Sequence, residues 1–109
     1  MTALLNKTDF HVFVAFEGTE LVGGLTAFQL NMYKLIPSKM LLYEMGVELN
    51  HRRHGIGRKL IKEFIDFSKK SGVNKILVLT TTENFETIKF YKATNGNLES
   101  NHICFSYSI

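Results

Sequence analysis

Arg52-Arg53-His54-Gly55-Ile56-Gly57 stands between a strand-like run, Met40 to Val47, and an amphipathic run that continues to Phe67. A helix that begins at such a junction leaves its first backbone N–H groups unpaired, and its aligned peptide dipoles put partial positive charge at the same point. An anion is held well there. Gly55 and Gly57 let a pyrophosphate come close to the backbone, because a Cβ at either position would crowd it and narrow the available dihedrals. Arg52, Arg53, His54, Arg58 and Lys59 supply the counter-charge.

The helix after this loop is the clearest element in the chain. Ile56, Leu60, Ile61, Phe64, Ile65 and Phe67 mark one apolar face, Arg58, Lys59, Lys62, Glu63 and Asp66 point away from it, and Ser71-Gly72 ends it. Upstream, Phe10 to Phe16 and Leu21 to Leu30 are rich in β-branched and aromatic residues and flank Glu17-Gly18-Thr19-Glu20, which predicts a β-hairpin. Gly23 and Gly24 in its second strand predict a bulge or a close backbone approach. Asn31 to Lys39, with the only proline, Pro37, reads as a loop. Downstream, Lys75 to Thr80 predicts a short buried strand, Asn84 to Ala93 a helix and Ile103 to Ile109 a final alternating strand. The order β-β-β-α-β-α-β implies an α/β fold of the α+β kind: a mixed sheet covered by helices, with a right-handed crossover between the third and fourth strands.

The bulk numbers agree with a single domain spanning 1–109. The chain is 45% hydrophobic and 21% charged, which suits one globular domain with a modest core. A lone cysteine, Cys104, cannot form an internal disulfide, and the chain opens on no charged-then-apolar leader, so a reducing cytoplasm is expected. Apolar stretches such as Met40 to Tyr43 fall far short of the roughly 20 residues that a membrane-spanning helix needs. The formal charge of +3 is concentrated in His51, Arg52, Arg53, His54, Arg58, Lys59 and Lys62, a local excess that asks for a phosphorylated cofactor or a nucleic-acid backbone. No aromatic residues interleave with these cations and no nucleic-acid motif is present, which disfavours the second partner.

The pattern Arg-x-x-Gly-x-Gly after a strand ending in Met45-Gly46-Val47 resembles the acetyl-CoA motif of the GNAT N-acetyltransferase superfamily. Asn84-Phe85-Glu86-Thr87-Ile88-Lys89-Phe90-Tyr91 is similar to that superfamily's Asn-x-x-Ala-x-x-apolar-Tyr helix. Within it, Leu42-Tyr43-Glu44-Met45-Gly46-Val47 and His51-Arg52-Arg53-His54-Gly55-Ile56 look most like the aminoglycoside 3-N-acetyltransferases. The resemblance implies a GNAT-like acyl-CoA N-acyltransferase fold, acetyl-CoA as acyl donor, and a primary amine, an aminoglycoside among the candidates, as acceptor.

It also implies roles. Glu44, in a strand of apolar residues, would be the general base, its pKa raised by burial; a solvated glutamate on an open sheet face is the alternative. Tyr91 would protonate the departing thiolate, which a phenol of pKa about 10 can do for a thiol of about 8.5; a core tyrosine is the alternative. The Met45 N–H would hold the developing oxyanion, and Val47 would pair with the pantetheine as an added strand. Ile56 completes the cofactor loop. Asn84 is either a pantetheine contact or only an N-cap.

Several residues are expected to do no chemistry. His51 and His54 have no acidic or cysteine partner at metal-ligand spacing in the sequence, so no metal is expected. His11 and His102 read as structural or exposed, and Cys104 as a small buried apolar residue. The chain departs from the resembled pattern at both ends. It begins close to the hairpin, so the strand and helix pair that precede the hairpin in the superfamily are expected to be absent. That leaves a CoA-binding module without a competent acceptor site as the second reading. After Tyr91, Lys92-Ala93-Thr94-Asn95-Gly96-Asn97 runs one residue long, with Asn97 at an apolar position. An uncovered first hairpin predicts a homodimer, through Ile103 to Ile109 or through the Phe10 to Leu30 hairpin.

Overall fold

The computed structural model describes residues 9–30, 39–52 and 54–109, and the backbone of 2–7. The loop expected over Asn31 to Lys39 therefore lies almost wholly outside the described residues, as does Arg53. The chain divides into two compact units, residues 1–79 and 80–109.

The first unit is a five-stranded sheet in sequential order: β1 (Thr2–Lys7), β2 (Phe10–Glu17), β3 (Glu20–Leu30), β4 (Lys39–Val47) and β5 (Ile76–Val78). The first three pairings are antiparallel and β4 pairs with β5 in parallel, with α1 (Ile56–Lys70) in the connection between them. β1 corrects the expectation that the chain lacks an N-terminal strand. It runs along the outer edge of β2 from Thr2↔Ala15 to Lys7↔Phe10, so the edge expected to lie open is paired over that stretch. The hairpin between β2 and β3 turns on two residues, Gly18 and Thr19, and Gly18 has the positive φ of 61° that the first central position of a type II′ turn requires.

Alternation places His11, Phe13 and Ala15 of β2 on the buried face. There Phe13 meets Phe64 and Phe67 of α1 edge-on, at centroid distances of 5.9 and 5.5 Å, and His11 lies 4.9 Å from Phe67. Leu60, Ile61 and Phe64 of α1, with Val22, Leu25, Ala27, Met40 and Leu42 of the sheet, complete the core. His11 is structural, as expected: it is buried, and neither ring nitrogen has a partner among the described residues. The helix ends as its Ser-Gly signal predicts. Gly72 takes φ 78°, its N–H bonds the Lys69 carbonyl, and the N–H of buried Val73 reaches back to Ser68, which is a Schellman cap.

Two register shifts shape the sheet. One lies between Ala15 and Phe16 of β2, where Val22 is the extra residue on β3, beside the glycine pair that predicted a bulge. The other lies between Thr26 and Ala27 of β3, where Tyr43 is the extra residue on β4. A bulge bends its strand and raises the local twist. The pairing of β4 with β5 stops at Leu42↔Val78, one residue before Tyr43. The strand expected over Lys75 to Thr80 is accordingly reduced to three residues.

The second unit is built on α2 (Phe85–Ala93). Its C-terminus explains the extra residue after Tyr91. Asn95 adopts φ 71°, its N–H bonds the Lys92 carbonyl and the Gly96 N–H bonds that of Tyr91 at 2.8 Å, so the longer run builds a second Schellman cap. A Cβ at Gly96 would lie 2.8 Å from the Tyr91 carbonyl oxygen, which is why glycine stands there. The final strand predicted over Ile103 to Ile109 does not form. The segment alternates apolar and polar residues as a strand would, but it has no partner ladder among the described residues, and its residues are exposed on both alternations. Cys104, expected to be buried, is exposed for the same reason.

Candidate functional site

Beyond Leu42, β4 is paired with β3 on one side, through Thr26↔Glu44, Leu25↔Met45, Gly24↔Gly46 and Gly23↔Val47, and with no strand on the other among the described residues. Met45 and Val47 are half-buried along this stretch. A half-paired strand offers backbone donors and acceptors to any extended ligand that can lie beside it.

At the end of β4 the chain makes one 3-10 turn, Leu49–His51, and enters α1. Gly55 caps the helix in the left-handed conformation, φ 77°, and no side chain caps it. The first intrahelical bond returns from Lys59 N–H to the Gly55 carbonyl, leaving the N–H groups of Ile56, Gly57 and Arg58 in the helix's uncapped first turn. Ile56 is buried, whereas His54, Gly55 and Arg58 are exposed. Gly23 brings this end close to the sheet: a Cβ there would meet the Gly46 carbonyl at 3.0 Å and the Ile56 Cγ2 at 3.4 Å. Arg52 is exposed and donates from Nε to the Val47 carbonyl at 3.1 Å, tying the loop to the end of the strand. Of the residues read from sequence as holding a cofactor, Met45, Val47 and Arg52 line one groove, His54 and Ile56 line a second hollow, Asn84 lies in the second unit, and Arg53 is not described.

A groove of about 580 Å³ runs over the sheet, lined among others by Val12, Val14, Gly24, Thr26, Glu44 and Gly46. Gly24 and Gly46 are cross-strand partners, so that rung leaves the floor clear of side chains. Glu44 is exposed on this groove, which corrects the expectation that it sits in apolar surroundings. The cause is the Tyr43 bulge. Met40 and Leu42 point into the core, and Glu44 would follow them at strand alternation had the extra residue not reversed the order. Its cross-strand neighbour Thr26 has an Oγ1 shielded from solvent and without a partner among the described residues. Thr26 is a site residue that sequence reading missed, because its pairing with Glu44 depends on the bulge.

In the second unit Tyr91 is half-buried, and burial pushes its phenol above the ordinary 10.0, so the hydroxyl keeps its proton through the neutral and mildly alkaline range. Asn84 is the N-cap of α2, its Oδ1 accepting from the Thr87 N–H at 3.4 Å, and so is engaged locally as its alternative reading supposed.

The fold brings His51 and His54 acidic partners that stand far from them in sequence. At the end of the β2–β3 hairpin, Glu17 meets both and Glu20 meets His51. His51 Nδ1 lies 2.9 Å from Glu17 Oε1 and its Nε2 2.8 Å from Glu20 Oε2, while His54 Nδ1 lies 3.0 Å from Glu17 Oε1. The hydrogen bonds from His54 and then His51 hold the Glu17 carboxyl below its ordinary 4.5, and the bond to Glu17 raises His51 above 6.5. The lowered carboxylate contributes above 4.5 and is lost as pH falls through its folded value. The raised imidazole contributes below 6.5 and is lost as pH rises through its own. Both are therefore fully present from pH 4.5 to 6.5.

Comparison with known proteins places this architecture. An aminoglycoside acetyltransferase from an uncultured soil metagenomic sample, in complex with trehalose, is 32% identical with a TM-score of 0.86, covering 97% of this chain and 70% of that one. The same enzyme in complex with sisomicin is 31% identical with a TM-score of 0.87 and the same coverage. Among curated proteins, N-acetyltransferase family 8 member 3 of Rattus norvegicus is 24% identical over 74 residues, which are 68% of this chain and 32% of that protein. The chain thus spans about a third of that curated relative. The model of the acetyltransferase (GNAT) family matches residues 1–96, and the chain belongs to that family.

Proposed function

We propose that the protein transfers the acetyl group of acetyl-CoA to a primary amine by direct attack in a ternary complex. The observation that carries this reading is the adjacency of two ligand surfaces: the half-paired stretch of β4 and the uncapped start of α1. One suits an extended amide-bearing arm and the other a pyrophosphate. Val47 and Met45 take the arm, and Arg52, Arg53, His54, Gly55, Ile56, Gly57 and Arg58 take the phosphates. Glu44 accepts the proton of the attacking amine, directly or through a water it holds. The Met45 N–H donates to the carbonyl oxygen as charge develops there, and Tyr91 gives its proton to the departing thiolate. Positioning does most of the work, and no covalent enzyme intermediate is required.

For the acceptor we propose an aminoglycoside amine. The groove beside Glu44 supports this, as does the likeness to an enzyme solved with sisomicin; the resemblance of Leu42 to Val47 favours the 3-amino group. The whole chain is read as one such domain acting in the cytoplasm. No helix among the described residues is long and apolar enough to cross a membrane.

Thermal denaturation tests the donor site. CoA and acetyl-CoA are expected to raise Tm, pantetheine much less, and Gly55→Glu is expected to abolish the CoA shift while its circular dichroism stays native. Equal shifts with CoA and pantetheine, or an undiminished shift in the variant, would remove the pyrophosphate site. A CoA shift without acetylation of any amine in a panel of aminoglycosides, polyamines and peptides would favour the binding-module reading.

We also propose that the chain associates as a homodimer. Ile103, Phe105, Tyr107 and Ile109 are all exposed, apolar side chains that a second copy would cover. Light scattering over a dilution series should show a dimer that dissociates at low concentration. A monomer throughout would end the proposal.

A further inference from the structure

Glu17 and Glu20 are directly opposite each other at the closed end of the hairpin, an arrangement that like charges disfavour unless a cation lies between them. What faces them is a pair of imidazoles. One ligand atom each from Glu17, His51 and His54 lie within 4.8 Å of one another, and the two rings stand nearly perpendicular at 85°, with centroids 5.8 Å apart. We propose that these three residues bind a divalent transition-metal ion, Zn2+ fitting best, with Glu20 orienting the site from outside.

The donor set is the first reason. Two imidazole nitrogens and a carboxylate oxygen make the mixed nitrogen and oxygen coordination that Zn2+ accepts in a tetrahedron whose fourth corner is water. The second is geometric. Bonds of about 2.0–2.1 Å to a tetrahedral ion put neighbouring ligand atoms about 3.4 Å apart. The contacts of 2.9 and 3.0 Å that Glu17 Oε1 makes with the two Nδ1 atoms need to open by only a few tenths of an ångström, on side chains at the surface. The third is Glu20. With His51 Nδ1 on the metal, its Nε2–H donates to Glu20 Oε2, already 2.8 Å away, which reproduces the carboxylate–histidine–metal arrangement that fixes the tautomer of a ligating histidine. Charge balances as well: the ion's two positive charges meet two carboxylates, Glu17 on the metal and Glu20 beside it.

Metal binding here would clamp the β2–β3 turn to the segment from His51 to Gly55 that leads into α1. The site is built from residues 34 and 37 positions apart in sequence.

The test measures metal uptake without CoA, by competition against a chromophoric zinc chelator, and separately the visible spectrum after loading with Co2+. The wild-type chain is expected to take up one Zn2+ and to give the intense visible bands of four-coordinate Co2+. Glu17→Gln and Glu20→Gln should each lose tenfold or more in zinc affinity with native circular dichroism, the loss that removing a ligand or its orienting partner brings. His102→Ala and Cys104→Ser, at the exposed thiol and the imidazole paired with Glu99, should bind as the wild type does. Absence of stoichiometric uptake would overturn the proposal and leave the four residues as a plain ion-paired latch. Equal affinity in Glu17→Gln and the wild type would overturn it too, since the metal would then sit elsewhere.

Discussion

Replacing Phe64 with alanine is expected to remove a large part of the protein's stability. Phe64 has no exposed surface, stands 5.9 Å edge-on to Phe13, and is the largest wholly buried side chain on α1. Truncating a buried phenylalanine costs about 3–5 kcal/mol, because transfer energy is lost and a cavity stays behind. Domains hold about 5–15 kcal/mol in all. The urea midpoint of Phe64→Ala should therefore fall steeply. Phe85→Ala, at an exposed phenylalanine, should stay within about 0.5 kcal/mol of the wild type. Similar shifts in the two variants would mean that α1 does not organise the core.

Glu44→Gln should lower kcat by about two orders of magnitude or more, the usual contribution of a positioned general base, and leave the CoA-dependent Tm shift unchanged. The substitution keeps the size and exposure of the side chain and removes only its ability to take a proton. Glu44 lies across from Thr26 on the groove and is not among the residues proposed to hold the phosphates, so binding and turnover should separate. Undiminished kcat at every pH would transfer the role of base to solvent or to another residue.

Local chemistry made much of this molecule legible. The 3.6-residue spacing from Ile56 to Phe67 and the Ser71-Gly72 stop define α1 almost to the residue, and the glycine in the Glu17 to Glu20 turn defines the hairpin. β1 escaped notice because Thr2–Lys7 carries one β-branched residue and ends in Asn6 and Lys7, both poor strand formers; pairing with β2 overrides that. Ile103 to Ile109 failed in the opposite sense. Its alternation is good, yet alternation is only half of a strand, and the hydrogen-bonded neighbour is supplied by tertiary structure or not at all. The Glu17, Glu20, His51 and His54 cluster could not be seen at ligand spacing because folding, rather than sequence proximity, brings its halves together. Glu44 was assigned the wrong surroundings through one unread bulge.

That bulge gives β4 something like a reading frame. Up to Leu42 the even-numbered residues face inward, and after Tyr43 the odd ones do, so the strand changes phase once along its length. Substituting Tyr43 leaves the phase shift in place, since the side chain is exposed and the extra backbone unit remains. Deleting it is different. Leu42 in, Glu44 out, Met45 in and Gly46 out would then follow as an uninterrupted alternation. The side to which Glu44 turns is therefore set by chain length rather than by side-chain identity: β4 tolerates changes of letter at this position and not the loss of one.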